Sequence, residues 1–193
     1  RARIIKDVLE GLRYVRYNKI ILLLLLLGFI PILTAMPYQL LMPVFAKSVF
    51  KAGETGLGLL MSAVGVGALC GSTLLASLGD VKRKGVIQMG AGFVFGGFLI
   101  LFALSPSLIS ALVFLFVVGS GSSMYMTINN TLVMTNTPAE LIGRVMSIYM
   151  MTFGLMPLAA LPAGALADII GAPYTVAGGA SIFISCHLPS AQV

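Results

Sequence analysis

Charge is scarce in this sequence. Of its 193 residues only 9% are Asp, Glu, Lys or Arg, and just six are acidic, whereas a soluble protein carries roughly 25% charged residues. A water-facing surface cannot be built from so few charges, which excludes an ordinary soluble domain. Tryptophan is absent and His187 is the single histidine. The two cysteines, Cys70 and Cys186, fall inside apolar stretches with no Cys or His at metal-ligand spacing. They are expected to be small buried side chains, neither a disulfide nor a metal site, and nothing in the chain calls for a cofactor. No Gly-x-x-x-x-Gly-Lys-Ser/Thr loop occurs, which argues against direct coupling to ATP. The chain opens on Arg1 in a charged amphipathic stretch without the short apolar core and cleavage site of a signal peptide. The ending His187-Leu188-Pro189-Ser190-Ala191-Gln192-Val193 does not read as a natural helix terminus. Together these ends lead us to expect a piece of a longer protein.

What is abundant is apolar: 59% of residues are hydrophobic and the mean hydropathy is +1.05. The few charges are clustered, leaving stretches close to the ~20 residues that a bilayer-spanning helix needs. Residues 1–19 precede them as an amphipathic linker helix, with Ile4, Ile5, Val8, Leu9, Leu12 and Val15 on one face and Arg1, Arg3, Lys6, Arg13 and Arg16 around the rest. Such a basic, one-sided helix suits either a cytoplasmic membrane surface or a solvated linker. Spans are expected at about 20–45, 57–78, 86–104, 108–134, 145–167 and 174–188, within a transmembrane bundle covering 20–193. The last apolar run holds only about 15 residues, short for a full crossing. The fold class is therefore an all-α integral membrane bundle of six helices.

Three features mark the spans. Pro31, Pro37 and Pro43 all fall in the first, and each removes a backbone donor. In a membrane the freed carbonyls must be satisfied by neighbours or by a water-filled cavity, so this span is expected to bend beside a cavity. Gly58, Gly65, Gly67 and Gly71 give the second span a close-packing face. The third, from Met89 to Leu104, is almost wholly apolar and reads as a lipid-facing support. Met146, Met150 and Met151 in the fifth read as packing rather than as a ligand surface. With residues 1–19 placed inside, ten basic residues lie on the inner side against Lys47 and Lys51 outside. That is the positive-inside pattern of an inner-membrane, multi-pass protein with a cytoplasmic N-terminal segment. Net charge is +6, but the basic residues sit at span ends, so the partner they imply is lipid headgroups and not nucleic acid.

The loop between the second and third spans, Ala76-Ser77-Leu78-Gly79-Asp80-Val81-Lys82-Arg83-Lys84-Gly85, resembles the signature loop of the major facilitator superfamily, Gly-x-x-x-Asp-Arg-x-Gly-Arg-Arg. It keeps the aspartate and the basic cluster, with Ala76 at the leading glycine and the later glycine shifted. Tyr38-Gln39-Leu40-Leu41-Met42-Pro43-Val44-Phe45-Ala46, Gly56-Leu57-Gly58-Leu59-Leu60 and Gly143-Arg144-Val145-Met146-Ser147 are similar to the enterobactin and macrolide exporter branch. So are Gly164-Ala165-Leu166-Ala167-Asp168 and the linker-like Glu10-Gly11-Leu12-Arg13-Tyr14-Val15. The resemblance implies a C-terminal six-helix half, equivalent to helices seven to twelve of a twelve-helix transporter. Its first partner would be the missing N-terminal six-helix half, with a small-molecule substrate bound between the halves.

The resemblance also assigns roles. In the family the seventh and tenth helices line the cavity. They correspond to the first and fourth spans, which hold most of the polar residues: Thr34, Tyr38 and Gln39 in one, and Ser120, Ser122, Ser123, Tyr125, Thr127, Asn129, Asn130 and Thr131 in the other. Tyr38, Gln39, Tyr125, Asn129 and Asn130 are the expected pathway residues. The alternative for each is hydrogen-bond glue between helices. Asp80 with Lys82, Arg83, Lys84 and Arg144 forms the expected gate, through an Asp80–Arg144 pair or through the other half. Pro157, Pro162 and Gly164 are expected to make the fifth span flexible, alongside Pro31, Pro37 and Pro43 in the first. No acid lies deep in a span, so either proton-coupling groups sit in the other half or protons are not used.

The function expected is a secondary transporter, not an enzyme, exporting amphipathic drugs or siderophore-like molecules by alternating access. One rival is a non-transporting scaffold or degenerate half-transporter. Another is a six-span intramembrane serine protease, for which Gly119-Ser120-Gly121-Ser122-Ser123 and His187 would have to supply nucleophile and base. No stretch reads Gly-x-Ser-Gly, and the depths of the two groups look mismatched for the hydrogen-bond reach a nucleophile needs.

Overall fold

The structure is a computed structural model that describes residues 13–79 and 83–187; every regular element among them is helical. Helix α1 (Lys19–Thr34) begins where the Asn18 side chain accepts from the amides of Ile20 and Ile21, at 3.2 and 3.3 Å. This meets two of the orphan donors of a first turn. The backbone turns over 35–37, because Pro37 has no amide to offer and disfavours helical geometry at the residue before it. Helix α2 (Tyr38–Val44) resumes and widens into a π turn at Phe45–Val49, closed by the Phe50 amide on the Phe45 carbonyl at 2.8 Å. The wide turn follows Pro43, whose ring crowds the carbonyl one turn back. The expected bent first span is thus a helix in three pieces over Lys19–Val49.

Helix α3 (Gly53–Ser77) is followed by Gly79 at φ +63°, a left-handed value that glycine adopts without a Cβ clash. Helix α4 covers Lys84–Ala103, and α5 covers Leu108–Thr135 with Ser107 as its capping residue. The fifth segment is α6 (Ile142–Phe153) and α7 (Met156–Ile170), interrupted at Gly154-Leu155. Pro157 then sits in the first turn of α7, where a missing amide costs nothing. Helix α8 (Ala172–His187) follows. From Lys19 on, the described helices group into six segments, of which the first and the fifth are broken. Five are long and apolar enough to cross a bilayer, Lys19–Val49, Gly53–Ser77, Lys84–Ala103, Leu108–Thr135 and Ile142–Ile170. Helix α8, with 16 residues, is not among them. Of the linker helix, residues 13–17 are described and helical.

Lipid tails are as apolar as leucine, so close packing and hydrogen bonds hold such a bundle together. The tightest seam joins α3 to α5. A Cβ on Gly67 or Gly71 would overlap the carbonyl oxygen of Phe116 or Ser120, and one on Gly119 would overlap that of Val64. Ser120 Oγ donates across the seam to the Gly67 carbonyl at 2.8 Å. Helix α4 packs one face, with Ala91, Phe95, Leu99 and Phe102 buried, against α5 and α8. Aromatic rings meet there in a core, tilted for Phe45–Phe102 at 4.7 Å and edge-on for Phe95–Phe183 at 5.4 Å and Tyr125–Phe183 at 5.8 Å. A second cluster, including Ile21, Leu24, Val133, Val145 and Tyr149, joins the start of α1 to α5 and α6.

Three sequence expectations change here. The third span is a two-faced core helix and not simply a lipid-facing support, because an unbroken apolar stretch suits lipid and protein interior equally. Cys70 and Cys186 are exposed on their helices, not buried, for the same reason. In the methionine stripe, Met146 packs against the second cluster but Met150 and Met151 are exposed.

The glycine seam generates a stability prediction. Gly67→Leu or Gly71→Leu forces α3 and α5 apart and is expected to destabilise the full-length protein in detergent by about 1–3 kcal/mol, the usual overpacking cost. Gly90→Leu, where a Cβ meets open space, is expected to leave the melting temperature unchanged or raise it. Equal melting curves for all three variants would show that the seam is not tight.

Candidate functional site

The polar features of the bundle gather around the first span, and each proline there poses the same problem. Pro31 lies inside α1 and cannot donate to the Leu27 carbonyl one turn earlier. Tyr125 on α5 resolves it: its hydroxyl donates to that carbonyl at 2.7 Å, and the residue is fully buried. A second polar knot lies alongside. Gln88 Nε2 on α4 donates to Asn129 Oδ1 on α5 at 2.8 Å, and Asn129 Nδ2 donates to the Tyr149 hydroxyl on α6 at 3.4 Å. The Tyr149 hydroxyl in turn donates to Met126 Sδ at 3.6 Å. Gly28 of α1 makes room, since a Cβ there would strike the Tyr149 ring and lie 2.8 Å from Asn129 Nδ2. Four helices therefore meet at one buried amide.

At Pro37 the problem has no such resolution. Among the described residues no backbone amide donates to the carbonyls of Ile32, Leu33 or Thr34. The Met36 amide reaches back to Pro31, and the Tyr38 amide takes Ala35. The Thr34 carbonyl is covered by α8, where a Cβ on Gly179 would overlap it. Leu33, whose carbonyl is the one Pro37 would have served, lines a cleft of about 270 Å³ between the break, α7 and α8. Tyr38 lines the same cleft. Its ring packs edge-on to Phe102 at 6.5 Å, while its hydroxyl is buried without a hydrogen-bond partner.

The expected pathway residues thus occupy different places. Tyr125 and Asn129 are enclosed by the bundle, where they tie helices together. Tyr38 is buried at the cleft, Gln39 is exposed, and Asn130 is half-buried with its Oδ1 enclosed and unpartnered. Of the gate residues, Asp80 and Lys82 lie outside the described residues. Arg83 is exposed, while Lys84 and Arg144 are half-buried in the first turns of α4 and α6. Lys84 lines a cleft of about 220 Å³ with Ser72, Gly79, Thr127 and Thr131, where the signature loop leaves and rejoins the bundle. Pro31 and Pro43 are inside helices, Pro37 is at the break, and Pro157 and Pro162 lie in α7, with Pro162 on the cleft. Gln88 escaped the sequence reading; its signal was a lone amide opening an apolar run. Two of the three serines of the protease rival donate to backbone, Ser122 to Gly119 at 3.0 Å and Ser120 to Gly67 and Phe116. His187 is packed among Tyr125, Phe183 and Phe93, with ring centroids 5.2, 5.2 and 6.2 Å away.

Long apolar helices, small-residue seams and proline breaks met by buried polar groups define a multi-pass helical membrane protein. Residues 1–191 match the family model described as transmembrane secretion effector, and the chain belongs to that family of major facilitator proteins. It is 26% identical over 173 residues to macrolide efflux protein A of Streptococcus pyogenes, covering 86% of this chain and 42% of that protein. It is 26% identical over 188 residues to the multidrug efflux pump Tap of Mycolicibacterium fortuitum, covering 96% of this chain and 44% of the pump. The chain spans less than half the length of these relatives. No solved structure gives a significant match. The family is one of transporters, not of enzymes.

The tyrosine that serves Leu27 can be tested by a double-mutant cycle. Tyr125→Phe is expected to cost about 1–2 kcal/mol of stability, the scale of a strong interhelical hydrogen bond in a membrane. In a Pro31→Ala background, where residue 31 regains its amide, the same change is expected to cost clearly less. Equal costs in thermal unfolding of both backgrounds would separate the hydroxyl from the proline.

Proposed function

We propose that this chain is the C-terminal six-helix half of a twelve-helix secondary transporter that exports amphipathic drugs or siderophore-like small molecules by alternating access. The observation that carries the reading is the pattern of the match. Nearly the whole chain fits the transporter family, while efflux proteins are matched over 42–44% of their length, the share that one of two bundles would occupy. A broad apolar face supports it: Met150, Met151, Leu158, Leu161 and Ile169 on α6 and α7 are exposed, a surface fit for lipid and for a second bundle.

In this reading the N-terminal segment is cytoplasmic and the protein sits in the inner membrane, as the ten-to-two distribution of basic residues implies. In this reading Gln39, which is exposed, and Asn130, which is half-buried, meet cargo. Tyr125 and Asn129 hold the wall that carries them, and Tyr38 faces the cleft beside the break. Asp80 and its basic neighbours, with Arg144, bias the inward- against the outward-facing state as the bundles rock.

The test is efflux from intact cells expressing the full-length gene, read with ethidium and erythromycin, with and without a protonophore. Export against the gradient is expected. Asp80→Asn is expected to slow it about tenfold, which corresponds to ~1.4 kcal/mol on the barrier between the two states. Loss of export with protonophore would assign coupling to protons. No export of either probe by protein shown to be in the membrane would overturn the reading in favour of a scaffold.

A further inference from the structure

We infer that the cleft beside the Pro37 break binds the uncharged ring or alkyl portion of an amphipathic molecule, a portion bearing one N–H or O–H donor, which the Leu33 carbonyl and the Tyr38 hydroxyl accept. The inference rests on the transporter reading and specifies the chemistry of its cargo.

Two of the three prolines of the first span, Pro31 and Pro37, supply the contrast. Each leaves a carbonyl one turn back without its amide. At Pro31 the protein brings its own donor, the Tyr125 hydroxyl at 2.7 Å. At Pro37 it brings none: among the described residues no donor reaches the Leu33 carbonyl, and the nearby Tyr38 hydroxyl, 2% exposed as a residue, is buried without a hydrogen-bond partner in that set. Leu33 and Tyr38, the residues that carry these two groups, both line one cleft. Irregular backbone at membrane depth persists only where protein or a polar occupant satisfies it, and leaving such groups unmet costs free energy that a ligand donor would recover.

The rest of the lining sets the remaining chemistry. Pro37, Leu41, Ala159, Pro162, Ala163 and Ile182 present an apolar wall, and no lining residue carries a charge. A cation would enter without a counter-charge, which is costly in such surroundings. A neutral donor is favoured over an ammonium. At about 270 Å³ the cleft is smaller than the roughly 300–1,000 Å³ of pockets that enclose whole drug-sized molecules. It therefore grips one moiety and leaves the remainder outside.

The experiment uses the purified full-length protein in detergent and two fluorophores that differ in one donor. These are 6-propionyl-2-(methylamino)naphthalene, which has an N–H, and 6-propionyl-2-(dimethylamino)naphthalene, which has none. The N–H probe is expected to bind about five- to tenfold more tightly, the scale of one hydrogen bond. Tyr38→Phe is expected to narrow that gap while raising the melting temperature of the ligand-free protein, because it removes a buried unpartnered hydroxyl. A merely structural tyrosine would lose stability instead. Pro37→Ala restores the amide that the Leu33 carbonyl lacks and is expected to narrow the gap as well. Ala163→Phe fills the cleft from α7 and is expected to weaken both probes about tenfold. Equal affinity of the two probes for the unmodified protein, or a gap unchanged in both Tyr38→Phe and Pro37→Ala, would overturn the site. If cells expressing these proteins still export ethidium or erythromycin, the transporter reading stands without it. Absence of both binding and export would overturn the two together.

Discussion

A backbone carbonyl inside hydrocarbon must find a donor within the protein, because no water is there to supply one. That constraint organises this bundle. Most of its carbonyls are served by their own helices, and the exceptions include those whose amide a proline removes. Pro31 frees the Leu27 carbonyl, and the bundle answers by burying Tyr125 against it. This fixes the rotation of α5 relative to α1. Once α5 is so turned, Asn129, four residues further along, points inward and needs partners of its own, which Gln88 and Tyr149 provide. The aromatic core around Phe183 and the small-residue contact at Gly28 are consistent with the same rotation.

Close approach is the second ingredient, and it depends on what is missing from the side chains. The α3–α5 seam brings glycine against backbone on both sides, which places Ser120 near enough to bond to Gly67 across it. Dispersion and a few hydrogen bonds do the holding, since moving an apolar side chain from lipid into protein gains little. The fifth segment shows the opposite regime. Helix α7 buries only Ala159 and exposes a run of large apolar residues. The bundle thus has a densely packed side built on α3, α4 and α5, and a sparsely covered one at α6 and α7. A rocking transporter needs both: rigid bodies that move as units, and apolar surfaces that can slide past a partner or meet lipid.

The broken first span joins these two sides. Its lower part is locked by Tyr125, while its break faces α7 and α8 across the cleft, with Pro162 of α7 on the opposite wall. Prolines on both sides of a cleft reduce the backbone amides available to fill it with protein hydrogen bonds. An unmet carbonyl at such a place is tolerable when protein or a polar occupant meets it, as Gln88 and Tyr149 meet the buried Asn129 amide.

The sequence by itself determined that the chain is helical and membrane-embedded, because scarce, clustered charge leaves only apolar stretches of spanning length. It determined that the first span bends, because proline lacks an amide wherever it is placed, and the signature loop with its flanking motifs pointed to the transporter family. Only the tertiary structure decided direction. Tyr125 and Asn129 read from sequence only as polar groups in a span, and the structure buries both between helices. Gln88 stood unremarked at the start of an apolar run until Asn129 was seen opposite it. Cys70 and Cys186 lie in apolar stretches and face outward, and α4 is uniformly apolar yet two-faced. Lipid and protein interior are both apolar, so hydrophobicity alone does not record which side of a membrane helix is inside. That information lies in which neighbour supplies the next donor.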